Sequence, residues 1–382
     1  MILSLPLFLL GLTGCWDRAE LPEKGFVMGV AIDQTEEGKI ALNTQIFKPS
    51  QGGIKSSAGT ETTYLNVTTE NDTVSKAIRD IPSNLGRKAQ WSHMSLIIIG
   101  EELARKQNIN NVLEFFYRDH EPRLTLSIMI AEGRADQYLK IKPLIGNSTS
   151  QQIFRSAEAT ATDTGKTIFT NLLDMGLQLK SEVGNTLVPY IYFPDKQPKV
   201  TQVAGVALIK KGMLVGRMEP KKVEALQIIM GKYINGMMDI PCQKIGNSDR
   251  KLDVVEVLDL HSRLQPTIIS QNSMKVLVKI QMEVSISELN CSKIKTAVDE
   301  RKFTENIEAV LEDNIEETVE WLKQKKFDAL GLGNMVYKKN PSLWREMKPD
   351  WDNQFARTQF EYDVKVKVIN SGTVIPQPAL IK

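Results

Sequence analysis

The chain has 382 residues, of which 42% are hydrophobic and 25% are charged. This length exceeds one ordinary domain, so we expect two or three, and the apolar content is that of a globular protein. The formal net charge is only +2, from 48 basic and 46 acidic residues, which argues against a nucleic-acid partner because such proteins carry strongly basic surfaces.

The chain begins with MILSLPLFLLGLTG, an uncharged stretch that ends directly before Cys15. It is too short to cross a bilayer core of about 30 Å, which needs about 20 helical residues. Its length fits the apolar region of a secretory signal, with Thr13 and Gly14 as small residues at the cleavage point. The alternative, a short buried helix, is disfavoured because a core helix alternates faces and this stretch is apolar all round.

The four residues Leu12-Thr13-Gly14-Cys15 resemble the lipobox of bacterial lipoproteins. The resemblance implies that Cys15 receives an S-diacylglycerol group and an N-acyl group and becomes the first residue of the mature protein. Two acyl chains hold a protein on a membrane where a single chain is marginal. No Lys or Arg precedes the apolar run, so we expect the natural start to lie upstream.

The first half of the mature chain mixes strands and helices in a non-repeating order, which predicts a mixed α/β layer. Residues 25–33 and 39–48 predict a hairpin, 50–62 a Gly/Ser-rich surface loop, and 63–70 a third strand. The further predicted strands are 93–99 and 124–131, and the predicted helices are 72–85, 101–107, 109–118, 134–139 and 166–182.

A segment with two prolines and several charges, 192–202, predicts the domain boundary. Beyond it, 203–218 predicts a tight hairpin in which Gly212 supplies a positive φ. Pro220 opens a helix, and 273–287 alternates as a strand. The longest predicted helix is 301–327. Residues 358–370 predict an antiparallel, half-exposed strand.

These elements predict an α+β (mixed α/β) fold. We expect two or three compact domains with mostly antiparallel or mixed sheets flanked by helices, after a cleaved lipoprotein signal. The predicted units are the signal, 1–14, an N-terminal α/β domain, 15–197, and a C-terminal α/β domain, 198–382. Whether the last unit divides again near 290–300 stays open.

The sequence contains no convincing catalytic or metal-binding motif. Gly165-Lys166-Thr167 has the end of a phosphate-binding loop, but position 160 is Thr instead of the leading Gly. His93, His120 and His261 are too scattered for a metal site on local spacing, although a distant pairing stays open. We therefore expect no enzymatic activity, no metal and no cofactor.

The two other cysteines, Cys242 and Cys291, lie 49 positions apart. No CxxC motif or histidine at metal spacing accompanies them. A disulfide is one interpretation for an exported protein, and two unrelated buried thiols are the other. The sequence leaves both open.

Several stretches, in order from Cys15 to about Thr373, together resemble one family. The stretches are GCWDRAEL, HMSLIIIGEELARK, YRDHEPRLTLSIMIAEGRADQYL, AGVALIKKGMLVGRM, FDALGLGNMVYKKNPSLWREMKPDW and VKVKVINSGTV. They resemble the Ger(x)C family, the lipoprotein C subunits of spore germinant receptors. The first stretch alone is weak evidence for the family, whereas all of the stretches in this order are specific to it.

The resemblance implies a lipid-anchored protein on the outer face of the cytoplasmic membrane, which is the inner membrane of the spore. It implies two integral-membrane receptor subunits as partners, in a complex that responds to nutrients and triggers germination. It implies no enzymatic activity, in agreement with the empty motif search.

Two rival interpretations fit the anchor and the length. A lipid-anchored solute-binding protein of a transporter has two lobes with strand–helix alternation throughout, whereas this chain has a hairpin at 203–218 and an alternating strand at 358–370. A tethered cell-wall hydrolase is disfavoured because no catalytic set stands out.

The segment from Phe327 to Asp352 follows the longest helix and contains Trp344 and Trp351. We predict a long connection, with 341–347 as a candidate short helix. A connection this long is usually functional or disordered. One interpretation packs both tryptophans into the core of their own domain. The other makes them contacts for a membrane subunit, because Trp is a typical binding anchor.

Overall fold

A computed structural model describes residues 24–48, 63–194, 200–233, 235–242, 251–270 and 273–370. The predicted signal, Cys15 and the predicted loop at 50–62 lie outside the described residues. Two sheets with flanking helices form the described part, which confirms the predicted mixed α/β class.

The first sheet joins strands that lie between residues 24 and 218. Its strand order is β3-β2-β1-β5-β6-β7-β8-β9, with β4 paired to one end of β1. The strands are β1 (Lys24–Gln34), β2 (Ile40–Phe47), β3 (Tyr64–Asn71), β4 (Lys88–Gln90), β5 (Leu96–Gly100), β6 (Ser127–Ala131), β7 (Asn185–Tyr192), β8 (Gln202–Lys210) and β9 (Met213–Met218).

The centre of the first sheet is parallel and its two sides are antiparallel. β1, β5, β6 and β7 run in one direction, whereas β2–β3 and β8–β9 are antiparallel additions. β5 reads LIIIG and is fully buried because helices cover both faces of the parallel part. The predicted hairpin of β1 and β2 is confirmed, with Ile32 opposite Leu42.

Seven α-helices and one π-helix, Thr160–Thr164, accompany the first sheet within the described residues. The α-helices are α1 (Val74–Arg79), α2 (Ile81–Leu85), α3 (Glu101–Lys106), α4 (Ile109–Arg118), α5 (Asp136–Lys140), α6 (Thr149–Ala159) and α7 (Leu172–Leu179). α1, α4 and α7 contribute to the core on one face, and α5 and α6 to the core on the other.

Two helix predictions in this region are corrected. The single helix predicted over 72–85 is two helices, broken at Asp80, because Pro82 lacks the N–H that would continue the first one. The helix predicted over 166–182 begins only at Leu172, where the Asn171 side chain caps it. Residues 165–170 are not helical, and the carbonyl of Thr170 accepts the N–H of Ile128.

The hairpin of β8 and β9 follows the predicted boundary at 198, yet it extends the first sheet. Its turn residues Lys211 and Gly212 both have positive φ, 51° and 84°, as a tight hairpin turn requires. Ala207 and Ile209 belong to the core between the first sheet and α1, α4 and α7. Val206 and Leu208 belong to the core of the second half of the chain. The hairpin therefore belongs to both halves of the molecule.

The second sheet has the order β10-β11-β12-β13. Its strands are β10 (Met237–Pro241), β11 (Leu252–Ser270), β12 (Ser273–Glu288) and β13 (Gln359–Asn370), and its helices are α8 (Pro220–Ile229), α9 (Ala297–Gln324), α10 (Leu332–Lys339), α11 (Pro341–Met347) and α12 (Trp351–Arg357). α9 begins with a capping box of Thr296 and Asp299 and lays Ile307, Leu311 and Ile315 into the core.

Two predictions in the second half are corrected. β13 pairs with β12 in parallel, with Val278 opposite Tyr362, and is not antiparallel. Its alternation reports one buried face but not direction, and the long crossover through α9–α12 returns the chain in the same direction. The predicted connection from Phe327 to Asp352 is largely helical, and 341–347 is a helix as predicted.

The longest helix also ends earlier than predicted, at Gln324. The residue that leaves the helical conformation is Lys326, with a φ of 49°, and not a glycine. Among the helices of the described ranges, none combines the length and apolar character needed to cross a bilayer.

Candidate functional site

The carboxyl ends of the parallel strands form one edge of the first sheet, which we call the carboxyl edge. Ligands of parallel sheets usually bind at such an edge. Asp33, the next-to-last residue of β1, lies there with 3% of its surface exposed, and accepts hydrogen bonds from the backbone N–H groups of Ala135 and Asp136 at 2.8 and 2.9 Å. Gly100 allows this position, since a Cβ there would lie 2.2 Å from the Asp33 carboxylate.

Charged pairs surround Asp33 along the same edge. Glu101 pairs with Arg105 at 2.6 Å and accepts the Tyr190 hydroxyl at 3.0 Å. Glu132 pairs with Arg217 at 3.0 Å, and the Arg217 guanidinium lies 5.5 Å from the centre of the Tyr190 ring. Each carboxylate named here therefore has a partner already.

The ionisation of this edge follows from burial and pairing. Burial raises the pKa of Asp33 above its usual value, although the two backbone N–H groups act in the opposite direction. Burial also acts to raise the pKa of Glu101, but the hydrogen bonds from Arg105 and Tyr190 outweigh it and the net pKa is lowered. The network ties the loop after β6 to β1 and β5, which is a structural role.

The histidines do not come together. His93 lies before β5 and is exposed, and its ring meets the Phe26 ring at a nearly perpendicular angle, with a centroid distance of 5.3 Å. His120 is exposed after α4, and His261 is exposed on β11, 3.1 Å from Asp259. The structure therefore places each of them on the surface, in a different element.

Cys242 and Cys291 form a disulfide that joins the end of β10 to the segment after β12. Asp253 lies beside it with 1% of its surface exposed and accepts the N–H groups of Asn290 and Cys291 at 2.6 and 3.0 Å. Within the described ranges, the potential metal ligands whose ligand atoms lie close together are Cys242, Asp253 and Cys291. With both sulfurs in the disulfide, a single carboxylate is left, which is too few donors for a metal site.

Trp344 and Trp351 lie in the core, with 1% and 5% of their surfaces exposed. Their rings meet edge to face at a centroid distance of 5.1 Å. The packing interpretation therefore describes their surroundings. A contact between either ring and a membrane subunit stays a prediction, and it would require the rings to become exposed.

Each tryptophan N–H has a carboxylate acceptor. Trp344 donates to Glu182, just before β7, at 2.8 Å, and Trp351 donates to Asp328 at 3.2 Å. Asp328 is 3% exposed and also accepts the N–H groups of Leu332 and Gly333, which start α10. We call these side chains, Glu182, Asp328, Trp344 and Trp351, the tryptophan junction.

The tryptophan junction connects the second half of the chain to the first sheet. Gly333 lies against the Trp344 ring, and a Cβ there would come within 2.7 Å of it. Lys210, at the end of β8, bonds Asp352 at 2.6 Å and the carbonyl of Lys326 at 2.9 Å. Sequence inspection missed Asp328 and Glu182, because Asp328 lies three residues before Gly331, the N-cap of α10, and not at the N-cap position that a sequence pattern reveals.

Two family models match this chain. Residues 17–192 match the model described as "Spore germination protein N-terminal domain", and residues 204–372 match "Spore germination B3/ GerAC like, C-terminal". Together they cover both sheets in chain order.

Curated relatives and a solved structure agree with these matches. The chain is 27% identical to spore germination protein B3 of Bacillus subtilis (strain 168) over 96% of both chains. It is 25% identical to spore germination protein KC of the same organism, over 93% of this chain and 91% of that one. A crystal structure of the GerBC protein superposes with a TM-score of 0.55 at 20% identity, covering 90% of this chain and 97% of that one, which supports the fold. The chain belongs to the Ger(x)C family of spore germination proteins.

Proposed function

We propose that this protein is the membrane-anchored lipoprotein subunit of a nutrient germinant receptor, and that it acts by binding other proteins. Cys15 carries the S-diacylglycerol and N-acyl groups that hold it on the outer face of the cytoplasmic membrane, the inner membrane of the spore. The observation that carries the proposal is a lipobox, Leu12 to Cys15, placed directly before a chain that matches both domains of the family in order.

The described residues favour a role in binding other proteins over a role in catalysis. The carboxyl edge, where a parallel sheet would hold a substrate, is occupied by carboxylates already paired with Arg105, Arg217 and backbone N–H groups. A general base needs a proton acceptor that is free to reach its substrate. We infer that the protein contributes surfaces to a receptor complex whose partners are two integral-membrane subunits, with no cofactor and no nucleic acid.

The variant Cys15→Ala tests the anchor in a spore-forming host. The unacylated protein should leave the membrane fraction, and nutrient-triggered germination should fall because the receptor lacks this subunit at the membrane. Mass spectrometry of the native protein should find an acylated Cys15 as the first residue. A variant that sediments with membranes as fully as the native protein would show that another contact holds it there.

Co-purification tests the receptor assignment. Native protein extracted with mild detergent should bring down two multi-span membrane proteins encoded beside it. Thermal shift of the protein purified without these partners, across amino acids and sugars, tests the solute-binding rival, since a ligand of the native state raises Tm. A tight hit in the absence of the membrane proteins would favour that rival.

A further inference from the structure

The parallel strands of the first sheet all begin at one end, opposite the carboxyl edge, and we call this end the amino edge. β1 begins there at Lys24, which lies opposite Lys88 of β4. β5 and β6 begin at the register partners Leu96 and Ser127, which lie level with Gly29 of β1, so β1 projects five residues beyond them at this end. Nine residue steps separate Lys24 from Cys15, a distance of at most about 30 Å when extended. An anchor at Cys15 therefore keeps this edge close to the membrane.

Exposed leucines lie on the amino edge beside β6. α7 crosses this edge, because it begins next to the chain entering β6 and ends just before β7; Leu173 N–H bonds the carbonyl of Leu124 at 3.0 Å. Leu173 and Leu177 lie one turn apart on its outer face, with 45% and 61% of their surfaces exposed. Leu124 is 40% exposed. These three side chains form an apolar strip facing outward.

A second exposed apolar pair lies on the amino edge beside β3. Leu144 and Ile145 are 66% and 82% exposed, in the loop between α5 and α6. The same loop bonds the start of β3, because the Tyr64 hydroxyl donates to the carbonyl of Ile141 at 3.3 Å. Tyr64 lies opposite Phe47 of β2, which lies opposite Phe26 of β1. The two apolar groups thus flank the point where the chain enters β1.

Basic side chains lie between and beside the two apolar groups. Arg87, Lys88, Arg123 and Lys142 are exposed, and Lys24 is half-exposed. Within the part of the chain that the structure describes, no carboxylate forms an ion pair with any of these five. Each Lys or Arg at an anionic bilayer surface contributes about a fivefold gain in binding.

Nearby acidic groups are mostly engaged by other atoms. Glu114 pairs with Arg118 on α4. Asp119 accepts the N–H of Glu121 at 2.9 Å, and Glu121 in turn accepts the N–H of Trp91 at 3.0 Å. Asp174 on α7 is partly buried. The amino edge therefore presents an excess of positive charge together with exposed apolar groups.

We propose that the amino edge rests on the membrane, with Leu144, Ile145, Leu173 and Leu177 in the interfacial layer and the basic residues against anionic phospholipid headgroups. This proposal rests on the proposed lipid anchor, since the anchor brings this edge to the bilayer. The combination of an acyl anchor, basic charge and exposed apolar side chains is the one that binds a protein stably to an anionic membrane. The carboxyl edge and the β1–β2 turn then face away from the bilayer.

Depth-dependent quenching tests this orientation in the purified acylated protein. Single labels are attached at Ile145→Cys, Leu177→Cys and, as the matched control, Glu36→Cys in the β1–β2 turn. The control lies at the far end of the same strand, about 30 Å away. The proteins are reconstituted on phosphatidylglycerol–phosphatidylcholine vesicles with brominated acyl chains. Fluorescence at 145 and 177 should fall at least about twofold more than at 36.

A charge variant separates the edge from the anchor. Arg87→Glu, Lys88→Glu and Arg123→Glu together should abolish the quenching at 177, while acylated Cys15 keeps the protein in the vesicle pellet. Unchanged Tm in each labelled protein establishes that the fold is intact.

The outcomes distinguish the two proposals. A native protein that is not acylated and does not sediment with vesicles overturns the proposed function. A protein that sediments while the labels at 145 and 177 are quenched no more than the label at 36 overturns the orientation alone. If the fluorescence of the labels at 145 and 177 changes only when the two membrane subunits are added, and not on lipid vesicles alone, the edge contacts protein and the lipid assignment is overturned.

Discussion

The tryptophan junction and the amino edge both contain large apolar side chains, which are buried at the junction and exposed at the edge. At the junction, Trp344 and Trp351 are almost completely buried and each ring nitrogen has a carboxylate acceptor. At the amino edge, Ile145 and Leu177 keep most of their surfaces in solvent. Buried aromatics stabilise the fold, whereas exposed aliphatic groups contribute little to it and are available for a membrane or a partner.

The comparison also shows why residue type alone is a poor guide to function. Tryptophan is enriched among binding anchors, yet here both candidates connect the second half of the chain to the first sheet. Leucine and isoleucine in loops attract no attention in a sequence, yet their exposure makes them the better candidates for contact. Substitutions in the two regions should therefore differ in what they damage.

Trp344→Ala should have the largest effect on stability. Removing a buried tryptophan costs about 3–5 kcal/mol through lost burial and the cavity left behind. Trp344→Phe is the control, because it keeps most of the packing and loses only the bond to Glu182. Chemical denaturation in a Cys15→Ala background measures both variants. A Trp344→Ala protein with unchanged unfolding but impaired receptor assembly would reverse the comparison.

Asp328→Ala should cost about 2–4 kcal/mol, because it leaves the N–H groups of Leu332, Gly333 and Trp351 without their buried acceptor. Asp328→Asn retains one acceptor oxygen and should lie between the variant and the native protein. The measurement is again denaturant unfolding. Equal stability of all three proteins would mean that water replaces the carboxylate, and that the junction is less closed than its burial indicates.

Glu224→Gln tests a carboxylate on α8 that is neither fully buried nor fully exposed. Burial raises the pKa of Glu224 to about 7 from 4.5, so the folded state holds a proton that the unfolded state releases between these values. Stability is therefore lost as pH rises through this window. At pH 8 the variant should melt about 2–4 °C above the native protein, which corresponds to a gain of about 1 kcal/mol in the free energy of unfolding. At pH 4 the two proteins should melt at the same temperature. An equal offset at both pH values would contradict this.

Leu173→Ser and Leu177→Ser should have the smallest effect on stability, within about 0.5 kcal/mol, because exposed positions tolerate substitution. Leu172→Ser, the buried neighbour on α7, is the matched control and should be strongly destabilised. Thermal melting compares the three. Destabilisation by the exposed pair as large as that of Leu172→Ser would remove the contrast between the two regions.

Strong periodic patterns predicted most of the first sheet and the long helix. The hairpins at 24–47 and 202–218 and the stripe of α9 were visible because a turn or a repeated spacing fixes them. α6 was not predicted, because its buried residues include Thr149, Ser150 and Ala157, too small and polar to form a stripe. The antiparallel direction assigned to β13 was wrong because alternation does not encode direction.

β11 and the candidate site were also beyond sequence patterns. A register shift between Val257 and Asp259 interrupts the alternation of apolar and polar residues in β11. Pro266 argues against a strand at this position in a sequence-based prediction. The disulfide was one of two open interpretations. The amino edge depends on which ends of distant strands meet, and a single sequence does not contain this information.

The double role of the β8–β9 hairpin has a consequence for how the protein is made. Synthesis delivers residues up to Tyr192 first, and β7 then borders the sheet with its hydrogen-bonding groups unpaired and Leu187 uncovered. Such an open strand is a template for pairing with other chains until the hairpin arrives to cover it. A fragment ending at residue 192, where the first family match ends, should therefore aggregate, and one ending after Met218 should stay monomeric for longer.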